Sequence, residues 1–555
     1  MRNKSDLFLL ICIPVLLFLA VPTGFFHFNN IWGAFGRSNG LMTKVPLLFL
    51  ALILSLFSTN RSIVRFFWWC FALLVIEVSY GVIQLTGIDP FPWVNPYHNI
   101  FVTAGNPNFA AALFAILVVV VSRFVIVETK VPIKVSALVL VVAGIYMSYA
   151  TASVQGILTI AAAIFLMMLI GLIRSDFPLR RKRILSSALV LGGLPIALGV
   201  FNIGPLKSFL YQETLSIRLH YWRVAIRIIR DHPWFGVGLD NYGDYYRLYR
   251  EEWFVKKYTP GLISSNAHNV ALQWGSDSGV IGFLMYLGIA VAALLVYIKS
   301  FRLTEDKKVC DLDLIFVSFF AFYLQSLISI SQISVTVLGF ALFGILLAKY
   351  RLLRIESDVE GGGKRSKKHI QRSEYVGFGT IWIIVFLALT PITSLQMRHD
   401  LALRKAMAMP GIAQKVPDLA PRSESIKSAI KPFLSDQDYV AMAIQNLYGQ
   451  GNAQVGVEIA QRATEVNPRS WVGFQSQVLA FAQSNAPKEA VGAAKKVLEL
   501  DPLNYNIQFN LSQQQLKIGD TASAEINARK VLAIAPVDSD AYKGSVELLK
   551  SMGKQ

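Results

Sequence analysis

Charged residues are scarce in this chain. Only 16% of it is Asp, Glu, Lys or Arg and 54% is hydrophobic, whereas a soluble domain carries about 25% charged residues. A purely soluble protein is thereby excluded. Acids are the rarer sign, 35 against 53 Lys and Arg, for a formal charge of +18. There are three cysteines. Cys12 and Cys70 fall in apolar runs and Cys310 in a charged loop, so no disulfide framework and no cysteine-based zinc site is expected. A glycine-rich phosphate loop, a zinc-ligand cluster and a nucleophile elbow are all missing, and Gly361-Gly362-Gly363 reads as a flexible linker. No cofactor and no metal is expected.

Apolar runs are what the chain has in quantity. Runs near the ~20 residues needed to cross a bilayer fall at roughly 7–26, 41–58, 64–86, 108–127, 132–150, 154–173, 184–202, 279–298, 314–331, 334–348 and 376–396. The expected fold is all-α, a polytopic membrane protein of about eleven transmembrane helices. The first run lacks an A-x-A-like cleavage site and is followed by more spans, so it reads as an uncleaved helix. Arg2 and Lys4 hold the N-terminus in the cytoplasm, and Arg180 to Arg183 and Lys364 to Lys368 then fall on the same side. Positive charge inside explains most of the basicity without a nucleic acid partner. An odd span count places everything after about 397 outside.

Two regions leave the membrane pattern, a long outer loop over 203–278 and a polar tail. The domains expected are 1–396 in the membrane with that loop, a proline-rich linker over 397–436, and helical repeats over 437–555. In the tail Pro468, Pro502 and Pro536 are 34 residues apart, and Gly456, Ala490 and Ala524 keep the same period. This resembles tetratricopeptide repeats, whose small residues let paired helices approach and whose prolines end each unit. Such a tail is expected to recruit a protein partner or select the acceptor rather than perform chemistry.

Chemistry is expected in the outer loop. From Ser216 to Arg230 the periodicity is helical, ended by Asp231-His232-Pro233. Arg218 then shares a stripe with Trp222, Ala225 and Ile229, while Arg223, Arg227 and Arg230 fall together on another, solvated face. A guanidinium on an apolar stripe needs a partner. One reading is an ion pair with Asp240 or Asp244; the other is a site for phosphate oxygens, which suit a planar bidentate donor. Downstream, Asn266-Ala267-His268-Asn269 stands at the mouth of the next membrane helix, where amides can fix the tautomer of a histidine acting as proton acceptor. Asn108, after Asn106-Pro107, is a candidate helix cap, with His98-Asn99 just before it. Glu77, in mid-span, is either a proton relay or a buried hydrogen-bonding group, to Ser79, Tyr80 or another helix. His27, His220, His232, His369 and His399 have no companion pattern.

Taken together over roughly 100–350, several motifs resemble the superfamily of O-antigen ligases and polymerases, which includes bacterial protein O-oligosaccharyltransferases. They are Gly105-Asn106-Pro107-Asn108-Phe109, Arg218-x-x-x-Trp222, Asp231-x-Pro233-x-x-Gly236-Val237-Gly238, and His268-Asn269 followed by Asp277-x-Gly279-x-x-Gly282. The resemblance implies a glycosyltransferase of the inner membrane. It would move a glycan from undecaprenyl diphosphate to lipid A core, another glycan or a protein on the outer face, without metal or nucleotide sugar. It assigns Arg218 to the diphosphate and His268 to the acceptor hydroxyl. Members often carry a Ser-Arg pair where this chain has Thr151 to Gly156 without arginine, so Arg223 or another loop cation substitutes, or the donor is held differently. Arg223, Asn266, Asn269 and Gln155 are further candidates for binding diphosphate or acceptor. Ligase, polymerase and protein glycosylation share this donor chemistry. Two readings of other classes remain, a polysaccharide transporter or flippase and a membrane-anchored repeat scaffold. A transporter would more naturally show paired broken helices or repeated spans, and an anchor has no need of so many spans.

Overall fold

The computed structural model describes residues 4–24, 28–34, 37–91, 93, 99–210, 213–304, 307–360 and 453–554, with a few isolated positions between 394 and 430. All regular structure among them is helical. The expected apolar runs become α1 (Lys4–Ala20), α3 (Leu41–Phe57), α4 (Asn60–Leu85), α5 (Pro107–Ile126), α6 (Val131–Ala150), α7 (Val154–Arg174), α8 (Leu179–Val200), α13 (Val270–Phe301), α14 (Asp311–Ser326) and α15 (Ile333–Glu360). Seven of these, α4 to α8, α13 and α15, are long and apolar enough to cross a membrane by length and composition. The helices α1, α3 and α14 are shorter, and the run at 376–396 lies outside the described residues.

Helix α5 is the central post. Its residues from Ala110 to Val121 are all buried, as expected of a helix apolar all round. It starts two residues earlier than a cap at Asn108 requires. Pro107 takes the first helical position, where its missing N–H costs nothing, and Asn106 is the cap, accepting from Asn108 N–H at 2.9 Å. Asn108 turns to α7 instead, its side chain accepting from Ser153 Oγ and its carbonyl from Gln155 Nε2, both at 2.8 Å. Glu77, buried on α4, accepts from Thr103 Oγ1 at 2.5 Å, so its partner is the turn before α5 rather than Ser79 or Tyr80.

The loop over 203–278 is itself a small helical layer. It holds α9 (Lys207–Leu210), α10 (Glu213–Asp231), α11 (Tyr242–Tyr249) and α12 (Glu252–Tyr258). Tyr221, Val224, Ala225, Ile228, Tyr242, Tyr246, Phe254 and Ala267 form its own core. The tail contributes α16 (Ala453–Val466), α17 (Trp471–Gln483), α18 (Pro487–Leu500), α19 (Tyr505–Lys517), α20 (Thr521–Ile534) and α21 (Asp540–Ser551). The helices that begin at 453, 487 and 521 keep the 34-residue period of the prolines, and each ends two residues before its proline. Gly456, Ala490 and Ala524 are buried.

Candidate active site

The site grows from a break in α13. Its backbone leaves helical geometry at Ser278 and Gly279, with Gly279 at φ 67°, a conformation costly for any residue with a Cβ. The peptide groups freed there are taken by the segment after α10. Val280 N–H donates to the Pro233 carbonyl at 2.8 Å, Val237 N–H to Ser276 at 2.9 Å and Gly238 N–H to Asp277 at 3.0 Å. A Cβ on Gly236 would collide with the backbone of Ser276 to Ser278, and one on Gly279 with Pro233. The two glycine motifs are thus the two halves of one backbone docking, and it joins the end of the helix carrying Arg218 to the helix that follows His268.

A third strand of chain locks this joint. Around α2 (Phe28–Ile31), Asn29 Nδ2 donates to Asn241 Oδ1 at 2.9 Å, and Asn30 Oδ1 accepts from Leu239 N–H at 2.6 Å. Asp240 Oδ2 accepts from the N–H groups of Ala34 and Asn39 at 2.8 and 3.2 Å. Burial, then the charge of Asp277, pushes the Asp240 carboxyl up to about 6. Below the joint, the buried side chains of Lys44 and Asp277 pair at 2.6 Å. Gln273 Nε2 donates to Asp277 Oδ1 at 2.8 Å, and its Oε1 accepts from Ala267 N–H at 2.9 Å, one residue before His268.

His268 is fixed by its own loop. Its N–H donates to Asn266 Oδ1 at 3.0 Å, its carbonyl accepts from Trp222 Nε1 at 3.3 Å, and its φ is 53°. Nδ1 lies 3.1 Å from the Asn266 carbonyl. A carbonyl only accepts, so Nδ1 carries the proton and Nε2 presents its lone pair. No described residue hydrogen-bonds Nε2. Burial lowers the imidazole to about 4; the Asn266 carbonyl opposes that, and the charges of Arg218 and Arg37 add to it. The ring is therefore neutral at pH 7.

Arg218, half-buried on α10, forms no hydrogen bond or ion pair with a described residue. The ion pair with Asp240 or Asp244, one of the two readings of this guanidinium, is not made: Asp240 turns its Oδ2 to the backbone of Ala34 and Asn39 instead. Burial lowers the Arg218 guanidinium from its ordinary value, yet an arginine remains a cation at neutral pH. The second cation is Arg37, whose Nε donates to Ser265 Oγ at 3.3 Å. Sequence reading passed it over. Its signal was there: Arg37 is the one basic residue between the first two apolar runs, on the side where the charge rule leaves few.

The other candidates separate by role. Asn266 and Asn269 shape the loop: Asn269 caps α13 through Leu272 N–H at 3.0 Å and donates to the Leu327 carbonyl at 2.9 Å. Arg223 is 56% exposed and pairs with Glu251 at 3.4 Å, beside Arg227 at 2.7 Å, on the face read as solvated. Gln155 is buried between α5 and α7, with Oε1 unpartnered. His220 is buried, stacked on Phe254 and bonded to Glu251 at 3.1 Å. His98 lies outside the described residues, and no group of acids, cysteines and histidines among the described residues suits a metal ion.

Among the described residues the chain is all-helical, with seven helices long and apolar enough to cross a membrane, and the 203–278 layer brings a neutral histidine near two arginines. Residues 136–287 match the family model described as O-Antigen ligase, which supports the O-antigen ligase superfamily for this chain. The match runs from within α6 into α13, narrower than the 100–350 of the motif resemblance, and holds Arg218, His268 and both glycine motifs but not Arg37 or Lys44. No curated protein matches the chain.

Proposed function

We propose that the protein transfers a glycan from a polyprenyl (undecaprenyl) diphosphate carrier to an acceptor hydroxyl at the outer face of the inner membrane, as an O-antigen ligase does. The observation that carries this reading is a histidine whose Nε2 is open, beside an arginine that has no counter-ion among the described residues. The acceptor oxygen attacks the anomeric carbon of the linked sugar. The bond from that carbon to the diphosphate oxygen breaks with its electron pair, and the acceptor proton passes to His268 Nε2. Arg218 and Arg37 match the charge that grows on the leaving diphosphate, a fixed-cation effect of the kind that dominates such steps. A diphosphate beside the two arginines also offsets their repulsion of an imidazolium, so His268 becomes a stronger base once the donor is bound.

Polymerisation of surface polysaccharide and protein O-glycosylation use the same donor half-reaction. The surface glycan profile of a deletion strain separates them: loss of long chains from lipid A core marks a ligase, short single units a polymerase, an unglycosylated protein an oligosaccharyltransferase. With purified protein and a defined lipid-linked donor, His268→Ala and Arg218→Ala should each lower transfer by about 100-fold or more. Full activity of His268→Ala would remove the base, and a near-normal Arg218→Ala would remove the diphosphate site.

A further inference from the structure

The helix carrying Arg218 and the loop carrying His268 are separated in sequence by α11, α12 and the residues around them, and this segment is gripped from the tail. Arg250 and Asp501 form an ion pair of 2.5 Å with both side chains fully buried. The same guanidinium donates to the Pro260 carbonyl at 2.7 Å, closing α12 at both ends four residues ahead of Ser264. The neighbouring Glu251 holds α10 through Arg227 and His220. Around the pair the two parts exchange like for like: Arg247 of the loop lies over Trp471 of the tail at 4.0 Å, and Arg469 of the tail over Tyr245 of the loop at 4.1 Å. Val255 of α12 packs with Tyr505, Val531 and Ala535.

Two features argue that this contact has a task beyond tethering. A buried ion pair adds little stability compared with apolar residues of the same size, but it fixes one arrangement, because any other leaves a charge stranded. The acid is also specific to one repeat: the positions one period away from Asp501 are Asn467 and Ala535. Asn504 Nδ2 steadies Asp501 with a further hydrogen bond of 3.1 Å.

We infer that Asp501 is a positioning residue for the transfer reaction: through Arg250 it locks the repeat tail onto residues 250–260 and so sets the separation between Arg218 and His268. This rests on the function proposed above and makes the tail part of the working site rather than only a recruiter. In the full-length protein, Asp501→Ala should lower kcat by about 100-fold, the scale of an ångström-size misplacement, and Asp501→Asn, which keeps the shape, by about 10-fold. Asp501→Glu should recover part of the loss. A purely structural role would leave the pH profile alone, whereas loosening the loop should move the acid limb of kcat/KM from near 4 towards the ordinary 6.5 of histidine, and hydrogen exchange over 250–268 should quicken. A wild-type rate, acid limb and exchange in Asp501→Ala, or loss of activity in both variants with limb and exchange unchanged, overturns the inference. His268→Ala, run alongside, separates the two ideas: if it still transfers, the proposed function fails, and exchange over 250–268 alone decides the lock.

Discussion

Lys44 Nζ lies 2.6 Å from Asp277 Oδ2, with both side chains buried, and this pair ties α3 to the break in α13. Removing one partner strands a charge, at a cost of about 3–5 kcal/mol, while replacing both with apolar residues is often neutral. Lys44→Met should therefore lower the thermal midpoint in detergent strongly, and Lys44→Met combined with Asp277→Leu should do so less. A single variant as stable as the wild type would show that the pair is hydrated rather than buried.

The glycine docking predicts a contrast between substitutions. Gly236→Ala and Gly279→Ala place a Cβ against backbone that cannot yield and should cost more than ~2 kcal/mol each through clash and left-handed strain. Gly492→Ala, in open space on α18, should raise stability by ~0.5–1 kcal/mol. Thermal denaturation of the three variants reads this directly; equal effects would mean that the two motifs do not dock.

The acid dependence of transfer should itself report the donor. The folded-state value of His268 is depressed, to about 4 from 6.5, so the neutral base, and the stability it contributes, is present above 6.5 and is lost as the pH falls through 4. The free enzyme governs kcat/KM and the donor complex governs kcat. The limb of kcat should therefore lie at higher pH than the limb of kcat/KM, since bound diphosphate raises the imidazole. Coincident limbs would mean that no anion binds beside the ring.

Arg37 and Arg223 should part company. Arg37→Ala should raise KM for the lipid-linked donor by about 10-fold, the loss of one charge-assisted contact, and should move the kcat/KM limb upward by removing a positive neighbour of His268. Arg223→Ala, at an exposed position, should change either by less than about threefold. The reverse order would return the second cation to α10.

Much of this was legible in advance. Ten of the apolar runs are helices, because a run of that length has few other ways to satisfy its backbone, and the 34-residue spacing of three prolines marked three helix ends in the tail to within two residues. The stripe of Trp222, Ala225 and Ile229 was right in part: Ala225 is fully buried and Ile229 sits against Gly275 of α13, but the most buried line of α10 runs one position earlier, through Tyr221, Val224 and Ile228. What stayed hidden depends on distant segments meeting. Arg37, Lys44 and Asp501 meet Ser265, Asp277 and Arg250 from far along the chain, and single charges carry no periodicity. The cap at Asn106 rather than Asn108 was a local error, for Pro107 had already fixed the first helical position.

The break at Ser278 and Gly279 also acts as a depth gauge. Beyond it α13 continues as an apolar rod, and before it the helix packs with the 203–278 layer. From Asn269 to Ser278 the rise is nine residues at about 1.5 Å each, so His268 stands no farther than about 14 Å along the helix from the break. A carrier whose tail ends at that boundary can bring only its first linked sugar level with the imidazole. Under the proposed transfer the break then works as a ruler, with selection acting on the one bond level with the imidazole and none on the length of glycan beyond it.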